Sequence, residues 1–254
     1  MNDFYSIPVV IPSYNPDEKL AQTVLGLKNA GFGDIIVIDD GSSAETKKNF
    51  PEPGDGVTVL RHEVNRGKGA GLKTAFRYIL ENRPDAAGCV TADGDGQHRT
   101  EDIAACAKAM LSEKDRVILG ARDFSLPHVP ERSKKGNRIT SCVFRLLFGM
   151  KITDTQTGLR AIPRKYLAPF IRVSGDRYEY ETNMLLSMKR DSIPFSEVKI
   201  DTVKYVFLNA PETVRMAFDN GELDIATSVN SDAMKAYTGT DKLVTSDRIG
   251  YRYY

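Results

Sequence analysis

The feature that most constrains this chain is an alternation. Short β-branched apolar runs take turns with stretches of helical periodicity through the first 120 residues. Ile7 to Ile11 is one such run, ended by Pro12. Asp34 to Asp39 (DIIVID), Val57 to Leu60, Ala86 to Ala92 and Val117 to Gly120 are the next four. Between the first two, Asn15 followed by Pro16 reads as an N-cap with proline at the first helical position. That helix is expected to run to about Ala30, where Gly31 stops it. A second helix opens at Gly69, with Leu72, Ala75, Phe76 and Ile79 on its apolar face, and a third covers Asp102 to Leu111. Strands alternating with helices predict parallel βαβ units: an α/β fold, Rossmann-like, with a mostly parallel sheet flanked by helices.

Ligands of such sheets gather outside the carboxyl ends of the strands. Pro12-Ser-Tyr-Asn, Asp39-Asp40-Gly-Ser and Asp93-Gly-Asp-Gly all fall there. Bulk properties narrow the choice of ligand. Lys plus Arg is 35 and Asp plus Glu is 34, so net charge gives no case for nucleic acid. No apolar run approaches the ~20 residues needed to span a bilayer, and MNDFYSIPVVIPSYN lacks the pattern of a secretory signal. Cys89, Cys106 and Cys142 form neither a zinc pattern nor a disulfide framework, which suits a reducing, cytoplasmic setting.

In TADGDGQH, Asp93 and Asp95 are one residue apart. Counted from Asp93, the sixth and twelfth positions are His98 and Ala104, which rules out an EF-hand loop. A solvated turn remains open. So does a site for Mg²⁺ or Mn²⁺, with Asp93, Asp95 and Gln97 as hard oxygen ligands and glycines that let a diphosphate approach. Asp39-Asp40-Gly41-Ser42 is an Asx turn or a carboxylate holding a base or ribose. Asn65-Arg-Gly-Lys-Gly-Ala-Gly71 resembles a phosphate loop without being a Walker loop, and Arg66 and Lys68 suit an anion at a helix N-terminus. ERSKKGNR, residues 131–138, reads as a basic loop. The following helix places Ile139, Val143, Leu146 and Leu147 on one face; core packing is the preferred account, and an anionic lipid headgroup at a membrane surface is the alternative. Arg160 is a candidate phosphate ligand, and Glu179 and Glu181 are candidates for sugar positioning or base catalysis. The three histidines show no ligand spacing.

The runs VVIPSYNP, IVIDDGS, NRGKGAGLKTAF, TADGDGQH, GARDFS, DTQTGLRAIP and DRYEYETNML together resemble glycosyltransferase family 2, in its branch that makes polyprenyl-phosphate sugars. The resemblance covers about residues 5–203 and implies a GT-A fold, a nucleotide-sugar donor of the UDP-glucose or GDP-mannose type, and Mg²⁺ or Mn²⁺. Carried over by motif, Pro12, Tyr14, Asn15, Asp39, Asp40 and Lys68 hold the nucleotide sugar. Asp93, Asp95 and Gln97 hold metal and diphosphate; Asp95, Arg122, Arg160 and Glu181 form the catalytic set; Arg132 and Ser133 grip the acceptor phosphate. The implied reaction moves a sugar to a polyprenyl phosphate, with inversion, by an enzyme peripheral to the inner face of a membrane.

The chain departs from that family near Val203. Its last part resembles a fragment of an ABC-transporter oligopeptide-binding protein, centred on VRMAFDNGELDIA: a helix, an Asn-Gly stop and a short strand. The expected organisation is a catalytic domain over 1–203 and a short α/β tail of foreign character over 204–254. Rival readings are transfer to a saccharide hydroxyl, a solute- or peptide-binding module, and a catalytically dead chimera.

Overall fold

A computed structural model describes residues 4, 6–124 and 131–200, and for 131–135 only the backbone. The domain boundary at Val203 and all expectations for the tail lie outside these residues. The described elements run β1 (Val9–Ser13), α1 (Lys19–Asn29), β2 (Ile35–Asp40), β3 (Val57–His62), α2 (Lys68–Asn82), β4 (Gly88–Thr91), α3 (Thr100–Ser112), β5 (Val117–Arg122), α4 (Glu131–Phe148), β6 (Arg160–Pro163), α5 (Arg164–Ile171), α6 (Glu179–Arg190) and β7 (Phe195–Ile200).

One seven-stranded sheet has the order β3-β2-β1-β4-β6-β5-β7. Every neighbouring pair is parallel except the two that involve β6. The five apolar runs of the sequence are β1 to β5. Because side chains alternate across a strand, the central strands feed two cores. Val10, Ile36 and Ile38 pack with Leu72, Phe76 and Ile79 of α2 and with Tyr180 and Met184 of α6. Val9, Ile11, Ile35 and Val37 pack with Leu20 and Leu27 of α1 and Ile103 and Cys106 of α3. The sheet is thus apolar on both faces, as a parallel sheet must be.

Gly31 ends α1 as expected. It sits at φ 93°, and Phe32 donates back to the Leu27 carbonyl. The start of α1 does not follow the sequence. It begins at Lys19, and Asn15, at φ 49°, instead accepts from Ser43 N–H (2.9 Å) and Thr46 Oγ1 (3.0 Å). Its side chain ties the β1 loop to the β2 loop rather than capping a helix.

Two expectations for residues 131–148 are overturned. The basic segment is helical, continuous with the apolar stretch. The face of Ile139, Val143, Leu146 and Leu147 is not core, for these side chains are 66, 41, 76 and 72% exposed. Burial falls on Asn137 and Phe144 instead. Asn137 donates to the Thr153 carbonyl, and Gly149 at φ 65° closes the helix while Met150 donates to the Phe144 carbonyl.

The glycines of NRGKGAG have a packing role. A Cβ on Gly69 would lie 2.5 Å from Tyr180 Cβ, and one on Gly67 would lie 2.5 Å from the Asp176 carbonyl oxygen. That carbonyl accepts from Ala70 N–H at 2.9 Å. The N-terminus of α2 is therefore seated on the start of α6 by its own chain. Gly69→Ala should force the helices apart and cost about 1–3 kcal/mol, read as a lower urea midpoint at unchanged slope. A neutral substitution would show that the seam is slack.

Candidate active site

The carboxyl ends of β1, β2, β4 and β5 share one edge of the sheet. The reversed strand β6 brings its amino end, Arg160, to the same edge, paired with Thr91 and Leu119. Each polar motif sits there, and the motifs have divided the work.

At the β1–β2 side, Pro12 is in β1 and the Tyr14 ring is 55% exposed. Asn15 N–H donates to Ser42 Oγ at 2.9 Å. Asp39 accepts from Ser42 N–H at 2.9 Å and lies 3.8 Å from Arg61 Nε. Asp40 turns the other way. Buried, it accepts from Arg66 N–H (2.9 Å) and Gly67 N–H (2.7 Å), and its Oδ1 pairs with His62 Nδ1 at 2.6 Å. His62 Nε2 in turn meets Thr74 Oγ1 at 3.0 Å. Asp40 thereby braces the loop that opens α2. His62 carried no sequence signal beyond its position at the end of β3.

Lys68, the first residue of α2, reaches two carboxylates. Its Nζ is 2.7 Å from Asp93 Oδ1 and 2.8 Å from Glu181 Oε2. Burial alone would lower the ammonium pKa, but the two carboxylates outweigh it and the net shift is upward. Asp93 Oδ2 faces His98 Nε2 at 3.3 Å. Burial works to raise the Asp93 pKa; His98 and Lys68 overcome this and hold it well below the usual carboxylate range. Gly158 closes this cluster from below, since a Cβ there would meet Asp93 Oδ2 at 2.6 Å and Lys68 Nζ at 2.9 Å. Asp95 points outward and accepts only a local bond among the described hydrogen bonds, from Gln97 N–H at 3.0 Å.

The two arginines differ in kind. Arg122 forms a two-pronged pair with Asp154, Nε to Oδ2 at 2.6 Å and Nη2 to Oδ1 at 3.0 Å, and its pKa is raised chiefly by that bond. Asp154 is fully buried, and the sequence singled it out only as the first letter of DTQTGLR. Arg160 is 1% exposed. It donates to the Thr157 carbonyl (3.3 Å), the Glu181 carbonyl (2.9 Å) and Met184 Sδ (3.3 Å), and burial lowers its pKa. Arg160 is turned into the interior, where it fixes the backbone of Glu181. Glu181 itself is paired with Lys68. Arg132 and Ser133 lie in the first turns of α4, and their side chains are outside the described set.

The donor set suits a hard divalent cation. Asp93, Asp95 and Gln97 offer oxygens, and His98 Nδ1 is buried without a partner among the described residues. No cluster of three or more His, Cys, Asp or Glu side chains with metal-binding geometry occurs among the described residues. One or two carboxylates completed by substrate phosphates is the usual shell of Mg²⁺.

Asp154→Asn keeps the shape of the Arg122 pair and removes its charge. It should destabilise the domain by about 1–3 kcal/mol, visible as a lower melting temperature. No change would mean that the pair does not hold the β5 end to the 154–160 loop.

Comparison with known proteins gives the family and the fold. The profile of glycosyl transferase family 2 matches residues 9–171. The uncharacterised protein MJ1222 of Methanocaldococcus jannaschii is 32% identical over 199 residues, 77% of this chain and 80% of that protein. The UDP-N-acetylglucosamine–dolichyl-phosphate N-acetylglucosaminyltransferase of Methanococcus voltae is 30% identical over 218 residues, 78% of this chain and 85% of the relative. Among solved structures, glucosyl-3-phosphoglycerate synthase of Mycobacterium tuberculosis, crystallised with Mn²⁺, UDP and glucosyl-3-phosphoglycerate, superposes with a TM-score of 0.59 at 16% identity, covering 84% of this chain and 76% of that one. Mannosyl-3-phosphoglycerate synthase of Rubrobacter xylanophilus gives 0.62 at 14% identity, covering 89% and 79%. The mixed sheet, the matched motifs and these relatives lead to one conclusion: the chain belongs to glycosyl transferase family 2 and is a glycosyltransferase of GT-A fold.

Proposed function

We propose that this enzyme moves a sugar from a nucleotide-diphosphate sugar to a polyprenyl phosphate, with inversion and with the help of Mg²⁺ or Mn²⁺. The observation that carries the choice of acceptor is the state of the two glutamates at the start of α6. Glu181 is paired with Lys68, and Glu179 accepts from the backbone N–H groups of Asp176 (3.1 Å) and Arg177 (3.2 Å). Both bonds to Glu179 fall on Oε1 and, with its own backbone N–H foremost, hold its pKa below the usual glutamate value. That makes it a weaker base toward a hydroxyl acceptor, and such an acceptor must lose a proton as it attacks. A phosphate monoester has its second pKa near ~6 and is a dianion at neutral pH. It needs no base. One of its oxygens bonds to the anomeric carbon from the face opposite the diphosphate, whose bond to that carbon breaks, so the configuration inverts.

Two further features support the reading. The Methanococcus voltae relative is named for transfer to dolichyl phosphate. The exposed apolar face of α4, with Arg138 and Arg145 beside it, is the pattern of a helix lying in a lipid interface. No helix among the described residues is long and apolar enough to cross a membrane, so contact through α4 would be peripheral.

In this reading Pro12, Tyr14, Asn15 and Asp39 line the nucleoside side. Asp93, Asp95 and Gln97 would hold the cation, which when bound neutralises the departing diphosphate. Arg122, aimed by Asp154 and partly exposed, adds positive charge beside the same leaving group. Arg160 and Asp40 act through the backbone that they hold, and Arg132 with Ser133 would meet the acceptor phosphate. The catalytic domain is taken as 1–203.

The experiment is incubation with labelled UDP- and GDP-sugars, with and without polyprenyl phosphate in vesicles. Label should enter lipid only when the phosphate is present; transfer to saccharide hydroxyls alone would overturn the acceptor. Asp95→Asn should keep the fold and abolish the Mn²⁺-dependent part of nucleotide affinity measured by calorimetry. Arg132→Ala should raise the acceptor KM on the order of ten- to a hundredfold, the equivalent of losing a charge-assisted hydrogen bond of ~1.5–3 kcal/mol, and leave donor affinity nearly intact. Equal losses for donor and acceptor would move Arg132 out of the acceptor site.

A further inference from the structure

Lys68 occupies an unusual position: a half-buried ammonium gripping one of the carboxylates that the proposed cation needs. Its Nζ is shared almost equally, 2.7 Å to Asp93 and 2.8 Å to Glu181. The two carboxylates differ in what holds them. Glu181 stands in the first turn of α6, where its own carbonyl is fixed by Arg160 Nη1 at 2.9 Å. Asp93 stands in the glycine-rich loop after β4, between Lys68 on one oxygen and His98 on the other. Gly158 packs against both the ammonium and Asp93, leaving no room for even a methyl group. Lys68 therefore cannot withdraw toward the 158 backbone, and the side that already offers it a partner is Glu181.

We propose that Lys68 is a built-in counter-cation for Asp93 that an entering divalent ion displaces, with Glu181 as the acceptor that retains the ammonium. The proposal rests on the metal-dependent reading above. Two cations at one carboxylate oxygen repel strongly at such short range, so metal and Lys68 compete for Asp93. The four-carbon lysine stem permits the shift. Glu181 makes it possible without leaving a bare buried charge, whose cost would otherwise oppose metal entry. Glu181 is then a positioning residue that acts through Lys68, and it sets how readily the aspartate pair accepts metal.

The signs of two substitutions separate this role from a merely structural one. Lys68→Met removes the competitor and should tighten Mn²⁺ binding in the absence of nucleotide by about tenfold, ~1.4 kcal/mol. Glu181→Gln keeps the competitor and weakens its alternative partner, so Mn²⁺ binding should loosen by about threefold. In the double variant the Glu181 effect should vanish, because nothing remains for it to receive. The readout is titration of the full chain with MnCl₂, followed by loss of the free Mn²⁺ electron paramagnetic resonance signal. The double variant removes one positive and one negative charge together and serves if Lys68→Met alone fails to fold. Its affinity should exceed that of the parent protein by about the tenfold expected of Lys68→Met alone, and parental or looser binding in it overturns the proposal. Parallel loosening in both single variants, with a fall in melting temperature, would mean that Lys68 only builds the site and would overturn the exchange. Measurable binding that neither variant alters would also overturn it while leaving the metal reading intact. No Mn²⁺ binding by the parent protein would sink both.

Discussion

A guanidinium with almost no access to water lies beneath the candidate active edge of the sheet. Removing a charged group from water costs several kcal/mol unless its donors are met. Arg160 is met by carbonyls and a thioether rather than by a carboxylate of its own. Its bonds run to the loop before β6 and to the first turn of α6, elements that are far apart in sequence. Through Glu181 the placement passes to Lys68, and from Lys68 to Asp93. The active edge is thus not a set of independent side chains on a scaffold. It is a chain of contacts whose most buried member fixes the rest.

The sequence disclosed most of the sheet and little of its wiring. Strands β1 to β5 were legible because each is an apolar run with turn residues at its end, and a run buried on both faces has no other soluble home. Strand β6 was not. Four residues beginning with arginine and ending with proline give no periodicity, and its reversal is decided by pairing with β4 and β5 rather than by anything local. Asn15-Pro16 misled because an N-cap residue and a loop-bridging asparagine use the same side-chain oxygen; tertiary partners at Ser43 and Thr46 won. The α4 face misled for the opposite reason. Amphipathic spacing marks a helix that has an apolar side, and it does not say whether protein or something else covers that side.

Glycine-rich loops teach a related lesson. NRGKGAG has the composition of an anion cradle, yet Gly67 and Gly69 are small because Asp176 and Tyr180 lie against them, and the Ala70 N–H already has a carbonyl. Gly158 is small for a different neighbour, the Asp93–Lys68 pair. A motif of glycines reports that something approaches the backbone; only the fold says whether that is ligand or protein. The same holds for Asp39 and Asp40. Adjacent in sequence, they face opposite ways at a strand end, one toward the rim of the site and one into the brace beneath it.

Strand β6 has one more consequence. It pairs with β5 in the antiparallel sense, Leu119 beside Arg160, and Gly120 N–H donates to the Leu159 carbonyl. The chain that leaves β5 and the chain that enters β6 are therefore adjacent, like the two ends of a purse string drawn tight by the sheet. Everything between them, α4 included, is an excursion whose ends are already joined. Lengthening such an excursion costs little, about 0.6 kcal/mol for each doubling of a flexible loop, and leaves the β3-β2-β1-β4 part of the sheet untouched. With the acceptor phosphate at Arg132 and Ser133, as proposed above, such a fold can change what receives the sugar by rewriting one excursion, while the β1–β2 side of the sheet stays as it is.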